Sequence, residues 1–231
     1  MRTRVARRAS ASCLKTDSQL TTTLAREDSV RDTIVPEDLG QTPQLLLVLN
    51  DLMTLTLIGY RGSGKSTIAP LVAGQLGWSW IDSDIEVEQR AGQSIQQIFA
   101  TENEAGFRQR ETAVLEELLG RQNVVIAAGG GAILAEQNRV RMKQAGPVIW
   151  LTAAATTLAE RVLGDQMTAD RRPSLTGRPV DEEIREVLEI RTPMYQDAAT
   201  HTVDTEALSR EEIVAQIVAI VRAESLEREN V

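Results

Sequence analysis

Residues 59–66 run Gly-Tyr-Arg-Gly-Ser-Gly-Lys-Ser, the spacing G-x-x-x-x-G-K-[ST] of a phosphate-binding P-loop. In such a loop the backbone N–H groups curl around a triphosphate. The lysine, here Lys65, reaches the β and γ phosphates, and the hydroxyl, here Ser66, can ligate Mg²⁺. Gly59, Gly62 and Gly64 let the backbone approach phosphate oxygens where a Cβ would collide. The flanks suit this chemistry. Thr54-Leu-Thr-Leu-Ile58 reads as a buried strand, and Thr67 to Leu76 is helical in pattern and stops at Gly77.

Further along, five clusters carry charge or bare backbone. Asp82-Ser83-Asp84 ends a second apolar run. Strand alternation would send both carboxylates to one side, toward a cleft mouth. One would serve the Mg²⁺ shell and the other would orient a hydroxyl nucleophile, the two tasks phosphoryl transfer needs. The plainer reading is an acidic helix start with Ser83 or Asp84 as the cap. Phe107-Arg108-Gln109-Arg110-Glu111 places Arg108 and Glu111 on one helix face, either as a surface ion pair or as an arginine held ready for an anionic substrate. Gly129-Gly130-Gly131 follows the strand-like run at 124–128, where glycines suit close approach to a ligand or a plain strand-to-helix turn. Arg171-Arg172-Pro173 lies in a polar stretch, about 164–180, too long for a bare connection and read as a lid. Arginines closing over a γ phosphate stabilise its spreading charge. Arg191-Thr-Pro-Met-Tyr195 interrupts a helical pattern, and Arg191 could grip a carboxylate bidentately or pair with Glu189 or Asp197.

The elements that must position these groups alternate. Strands are expected at 55–58, 79–81, 124–127, 148–151 and 202–203, with helical segments near 65–76, 84–119, 134–144, 155–163, 181–197 and 209–227. This is the pattern of parallel β-α-β units, hence an α/β, doubly wound sheet of five parallel strands flanked by helices. Ligands bind outside the carboxyl ends of such strands. The P-loop, Asp82 and Gly129 all fall there and should share one cleft.

Whole-chain properties bound the answer. The 231 residues suffice for one sizeable domain and a tail. The net charge of −8 argues against broad nucleic-acid binding. A single cysteine, Cys13, rules out an internal disulfide and suits a reducing compartment, the cytoplasm. His201 is the sole histidine, which excludes histidine zinc clusters. No apolar run approaches the ~20 residues that span a bilayer. The N-terminus differs from the rest. It carries Arg2, Arg4, Arg7 and Arg8, with no acid before Asp17, and about residues 1–45 read as disordered. Three readings stand for a segment 1–52: an organelle transit peptide, which would move the chain to a plastid or other organelle; a solvated basic tail; or a start placed upstream of the true one at Met53. The folded domain is expected over 53–231.

Taken together and in this order, Gly59–Thr67, Asp82–Asp84, Phe107–Glu111, Gly129–Gly131, Arg172-Pro173 and Arg191-x-Pro-x-Tyr195 resemble the shikimate kinases, over about residues 54–222. The resemblance implies a three-layer P-loop NTPase fold like that of nucleoside-monophosphate kinases, with a mobile lid. It implies transfer of the γ phosphate of ATP, with Mg²⁺, to the 3-hydroxyl of shikimate, a step toward chorismate and the aromatic amino acids. By the same resemblance Gly62, Ser63, Gly64, Lys65, Ser66 and Thr67 would hold the phosphates. Ser66 would ligate Mg²⁺, with Asp82 in or beside the ion's shell. Asp84 would bind the shikimate hydroxyls and orient or deprotonate the nucleophile. Arg108 and Arg191 would bind the carboxylate, with Gly130 giving a backbone contact between Gly129 and Gly131. Glu111 would hold Arg108, and Phe99 and Phe107 would line the pocket. Arg172 would close over the transferring phosphate, and Arg161 would stack on adenine. The family resemblance also implies a monomer.

Two departures stand out. Ten residues separate Arg161 from Arg172, a longer lid than in compact members. Glu206-Ala207-Leu208 stands where some relatives carry an adenine-side arginine, so no residue is assigned that role. The rival readings are another small-molecule P-loop kinase, such as a gluconate kinase, and a noncatalytic nucleotide binder. A GTP switch is disfavoured by the lack of an N-K-x-D stretch.

Overall fold

Thr54–Ile58, the first strand (β1), is buried at all five positions, as befits a central parallel strand covered on both faces. A computed structural model describes residues 53–164 and 179–229. Helix α1 (Lys65–Leu76) follows β1. Then come β2 (Ser79–Asp82), α2 (Ser83–Ala91), α3 (Ile95–Leu119) and β3 (Val124–Ala127). A 3₁₀ turn at Ala132–Leu134 leads to α4 (Glu136–Ala145). The chain continues through β4 (Val148–Thr152), α5 (Ala155–Gly164), α6 (Val180–Ala198), β5 (His201–Asp204) and α7 (Arg210–Glu229). The five strands form one parallel sheet, as the alternating pattern implies, and the structure orders them β2-β3-β1-β4-β5.

Two apolar layers close the faces of the sheet. Leu55 and Leu57 point into one, with Ile68 and Val72 of α1 and Ile213, Ile217 and Val221 of α7. Ile58, Val124 and Ile126 point into the other, with Ile98, Phe107, Leu115 and Leu118 of α3 and Tyr195 of α6. Residue alternation along β1 thus sends successive side chains to opposite layers. Met53 belongs to the first layer and is 1% exposed, with the Ser225 hydroxyl against its sulfur.

Two local expectations are revised, and a third goes untested. The stretch 84–119 is not one helix. Gly92 ends α2 at φ 65°, and Ser94 starts α3 with a capping box in which Ser94 and Gln97 satisfy each other's backbone N–H. Within α3, Asn103 leaves helical geometry at φ 61°, ψ −174°, and its Oδ1 accepts the N–H groups of Ala105 and Gly106. The segment 191–195 does not interrupt a helix, because α6 runs through Pro193 to Ala198. The lid expected at about 164–180 falls almost wholly outside the described residues, as does the segment 1–52.

Candidate active site

A cleft of about 620 Å³ opens at the carboxyl ends of the strands. Its floor is the loop between β1 and α1. Gly64, at φ 95°, caps α1 without a side chain, leaving the first-turn N–H groups to anions. Lys65 Nζ donates to the carbonyls of Gly59 (2.8 Å) and Tyr60 (3.0 Å). The ammonium is thereby folded over its own loop, where a phosphate would compete for it. Gly62, Ser63, Gly64, Lys65, Ser66 and Thr67 all line the cleft.

The junction of β2 and α2 delivers the acids. The Ser66 hydroxyl donates to Asp82 Oδ2 at 2.6 Å. Asp82 Oδ1 accepts from the N–H groups of Asp84 and Ile85, so Asp82 is the cap of α2. This corrects two expectations. The cap is neither Ser83 nor Asp84, and Asp82 and Asp84 do not share a side through strand alternation, because Ser83 and Asp84 already belong to the helix. Both acids reach the cleft all the same. The buried Ser83 hydroxyl turns inward and accepts the Gly129 N–H at 2.8 Å, tying the end of β2 to the glycine turn after β3.

The glycine turn carries the opposite wall. A Cβ at Gly129 would strike Asp84 Oδ1, and Glu111 Oε1 lies 2.9 Å from the same point. A Cβ at Gly131 would land in the Arg108 guanidinium. Only backbone fits between these side chains. Arg108 Nη1 donates to Glu111 Oε2 at 2.7 Å, and Glu111 is only 2% exposed. This is no surface pair. Burial disfavours the Arg108 charge, but the charges and hydrogen bonds of Glu111 and Glu104 together outweigh it and raise the guanidinium pKa further, so the cation persists at any working pH. The Arg108 guanidinium lies 5.1 Å from the Phe107 ring centroid, and Phe107 packs on Phe99 at 4.9 Å. Phe107 itself has no exposed surface, whereas Phe99 is 37% exposed. Phe107 therefore backs the pocket rather than lining it.

Helix α6 supplies Arg191, whose Nη1 donates to the Gly130 carbonyl at 3.2 Å. It does not pair with Asp197, which takes Arg139 and Lys143. At the far end of the cleft, Arg161 donates to the Thr205 hydroxyl and carbonyl, both at 2.9 Å, which fixes its guanidinium beside the β5–α7 loop. Arg172 lies outside the described residues.

Several lining residues escape a reading of the sequence. Arg210, at the start of α7, reaches the same end of the cleft as Arg161, with Leu208 beside it. Its signal was its place just past Glu206-Ala207-Leu208. Arg61 lines the cleft and lies 3.9 Å from Glu183 of α6. As a variable position of the P-loop spacing it carries no signal. Among the described residues no cluster of three or more acidic, histidine or cysteine side chains could hold a metal. Nor is any described helix long and apolar enough to cross a membrane.

Comparison with known proteins follows the same line. The family model described as shikimate kinase matches residues 61–222. A shikimate kinase of Rhodopirellula baltica is 45% identical over 164 residues, covering 71% of this chain and 88% of that protein. Shikimate kinase 2 of Yersinia enterocolitica is 43% identical over 173 residues, covering 75% and 98%. A solved shikimate kinase from Acinetobacter baumannii, in complex with shikimate, superposes with a TM-score of 0.70 at 34% identity, covering 76% of this chain and 96% of that one. With a phosphate loop, paired acids and Gly130 in one cleft, two arginines touching the glycine turn beside it, and matches of this extent, the chain belongs to the shikimate kinase family.

Proposed function

We propose that this protein transfers the γ-phosphoryl group of ATP to the 3-hydroxyl of shikimate, feeding the synthesis of chorismate and the aromatic amino acids. The observation that carries the reading is the cleft itself. At one end it has a phosphate loop with Lys65 and Ser66. Gly130 borders the same cleft, and the bare turn around it touches Asp84 at Gly129, Arg191 at the Gly130 carbonyl and Arg108 at Gly131. A substrate with one carboxylate and several hydroxyls needs that set: two guanidinium groups for the carboxylate and one acid for the hydroxyls. The shikimate-bound relative supports the same choice.

In this reading the loop amides from Gly62 to Thr67 cradle the phosphates, and Lys65 leaves the Gly59 and Tyr60 carbonyls for the β and γ phosphates. Asp84 orients the 3-hydroxyl and takes its proton. The freed oxygen forms a bond to the γ phosphorus as the bond to the β–γ bridging oxygen breaks, and ADP leaves. Arg172 closes over the group in transfer. Arg108, held by Glu111, and Arg191 grip the carboxylate, with Gly130 giving a backbone contact and Phe99 bordering the ring. Arg161 lies against the adenine. The Ser66 hydroxyl and Asp82 Oδ2, hard oxygens 2.6 Å apart beside the phosphate loop, fit a Mg²⁺ that draws its remaining ligands from phosphates and water. Bound there, Mg²⁺ would neutralise phosphate charge during transfer. We further infer that the working unit is residues 53–231, a cytoplasmic monomer that binds neither nucleic acid nor membrane.

The test is coupled ADP release by the full chain with ATP and Mg²⁺. Parallel arms would hold shikimate, gluconate, a nucleoside monophosphate or no acceptor. ADP release only with shikimate is expected. Release with gluconate instead would replace the acceptor, and release in no arm would leave a nucleotide binder.

A further inference from the structure

We propose that Tyr195 is a positioning residue whose hydroxyl, by holding the Gly130 carbonyl, sets the spacing of the two arginines that take the substrate carboxylate. The inference rests on the carboxylate seat proposed above and adds a residue to it.

The turn at 129–131 has no side chains, so nothing of its own fixes its peptide planes. Its neighbours do so instead. Ser83 Oγ accepts the Gly129 N–H at 2.8 Å. The Tyr195 hydroxyl donates to the Gly130 carbonyl at 2.9 Å. That oxygen has two lone pairs, and the other takes Arg191 Nη1 at 3.2 Å. One residue further, Gly131 lies against the Arg108 guanidinium. A single peptide therefore touches both arginines, and the tyrosine orients that peptide.

The tyrosine is well suited to act as a gauge. It is fully buried, so its hydroxyl needs a partner. Its ring stacks on Trp150 of β4, with centroids 5.4 Å apart and planes 12° apart, so it cannot swing. It follows Arg191 by four residues, one turn along the same face of α6. The hydroxyl thus measures the distance between α6, which carries Arg191, and the turn against which Arg108 rests. When shikimate draws Arg191 toward its carboxylate, the tyrosine bond remains and keeps the carbonyl from rotating.

The experiment is Tyr195→Phe, which keeps the ring and its stacking and removes only the donor. Initial rates would be measured against shikimate and against ATP, with the Ki of shikimate methyl ester, whose carboxylate charge is gone. Arg108→Lys and Arg191→Lys would be measured alongside. We expect the shikimate KM to rise about five- to tenfold, the worth of one buried hydrogen bond. The ATP KM should stay within about twofold and the methyl ester Ki should hardly move. An equal rise for both substrates, or an equal penalty on the ester, would reduce Tyr195 to a structural role and overturn the proposal. An unchanged shikimate KM in Tyr195→Phe beside raised values in the lysine variants would overturn it too, while leaving the carboxylate seat intact. Unchanged KM in all three variants would remove the seat and the proposal together.

Discussion

At the scale of single residues, the site depends on charges whose partners are already in place. Lys65 is held by two carbonyls of its own loop, so Lys65→Ala should disturb the fold little and the chemistry greatly. The expected loss in kcat is about 10²–10³-fold, that of a lost transition-state donor, read by ADP release at saturating substrates. Asp84→Asn keeps shape but removes the proposed proton acceptor. Turnover should fall by about 10²–10⁴-fold while calorimetry still shows nucleotide binding, and full activity would overturn the assigned role. Glu111→Gln tests the support beneath Arg108. Glu111 is nearly buried and carries the charge partner of that guanidinium, so its loss should destabilise the chain by about 2 kcal/mol in a denaturant titration and raise the shikimate KM. Much of this chemistry was legible in the sequence, because Lys65, Ser66, Asp84 and Arg108 sit at spacings that only a strand-loop-helix or a helix face can satisfy. What was not legible depends on distant residues meeting. Asp82 became the helix cap because its side chain captured two N–H groups that the strand reading had left out. Tyr195 stood in the motif without a role because its carbonyl partner lies 65 residues away.

At the scale of elements, α3 is the least regular part and the most informative. Its first half carries Phe99 and its second half Phe107, Arg108 and Glu111, and they join at Asn103. There φ 61° and ψ −174° fall in a region that only glycine occupies freely. Asparagine pays for that conformation in part by capping Ala105 and Gly106. Asn103→Ala keeps the strain and loses the cap, so it should cost about 1–2 kcal/mol. Asn103→Gly loses the cap but relieves the strain, and should match or exceed the parent. Thermal melts of the two variants decide this, and equal losses in both would deny the strain. The apolar phase breaks there, since on one continuous helix Ile95 and Ile98 would face away from Phe107, Val114, Leu115 and Leu118, a signal that reading 84–119 as one helical segment passes over. Helix α6 misled in the opposite sense. Pro193 suggested a break, yet the helix holds on both sides because Tyr195, Ala198 and Ile184 are all fully buried, and tertiary packing overrides a local penalty.

At the scale of the whole molecule, Met53 is the first described residue and already belongs to the core. Removing 1–52 should therefore leave shikimate-dependent ADP release intact and shift the melting temperature by no more than about 4 °C, roughly 1 kcal/mol for a domain this size. A truncated chain that fails to fold would make the segment part of the domain. Acid should weaken the fold through its exposed pairs. Hydrogen bonds from Arg139 hold the Asp197 carboxyl below its usual pKa, and hydrogen bonds from Thr157 and the Ala154 N–H do the same for Glu206. Groups depressed in the folded state stabilise it above their unfolded pKa of about 4 and lose that contribution as pH falls through their lower folded values. Stability should accordingly be level above about pH 5 with respect to these groups and decline below about pH 4. The strand order carries one more consequence, in time rather than space. β1 is paired on one side with β3, Thr54 against Val124, and on the other with β4, Thr56 against Val148. On the ribosome β1 emerges well before either neighbour. At roughly 5–20 residues per second, this strand, buried at every position once folded, waits on the order of 5–20 s for its second partner, with both edges open to other chains. A holdase acting on the nascent chain would therefore find its binding stretch in the strand that later carries the phosphate loop.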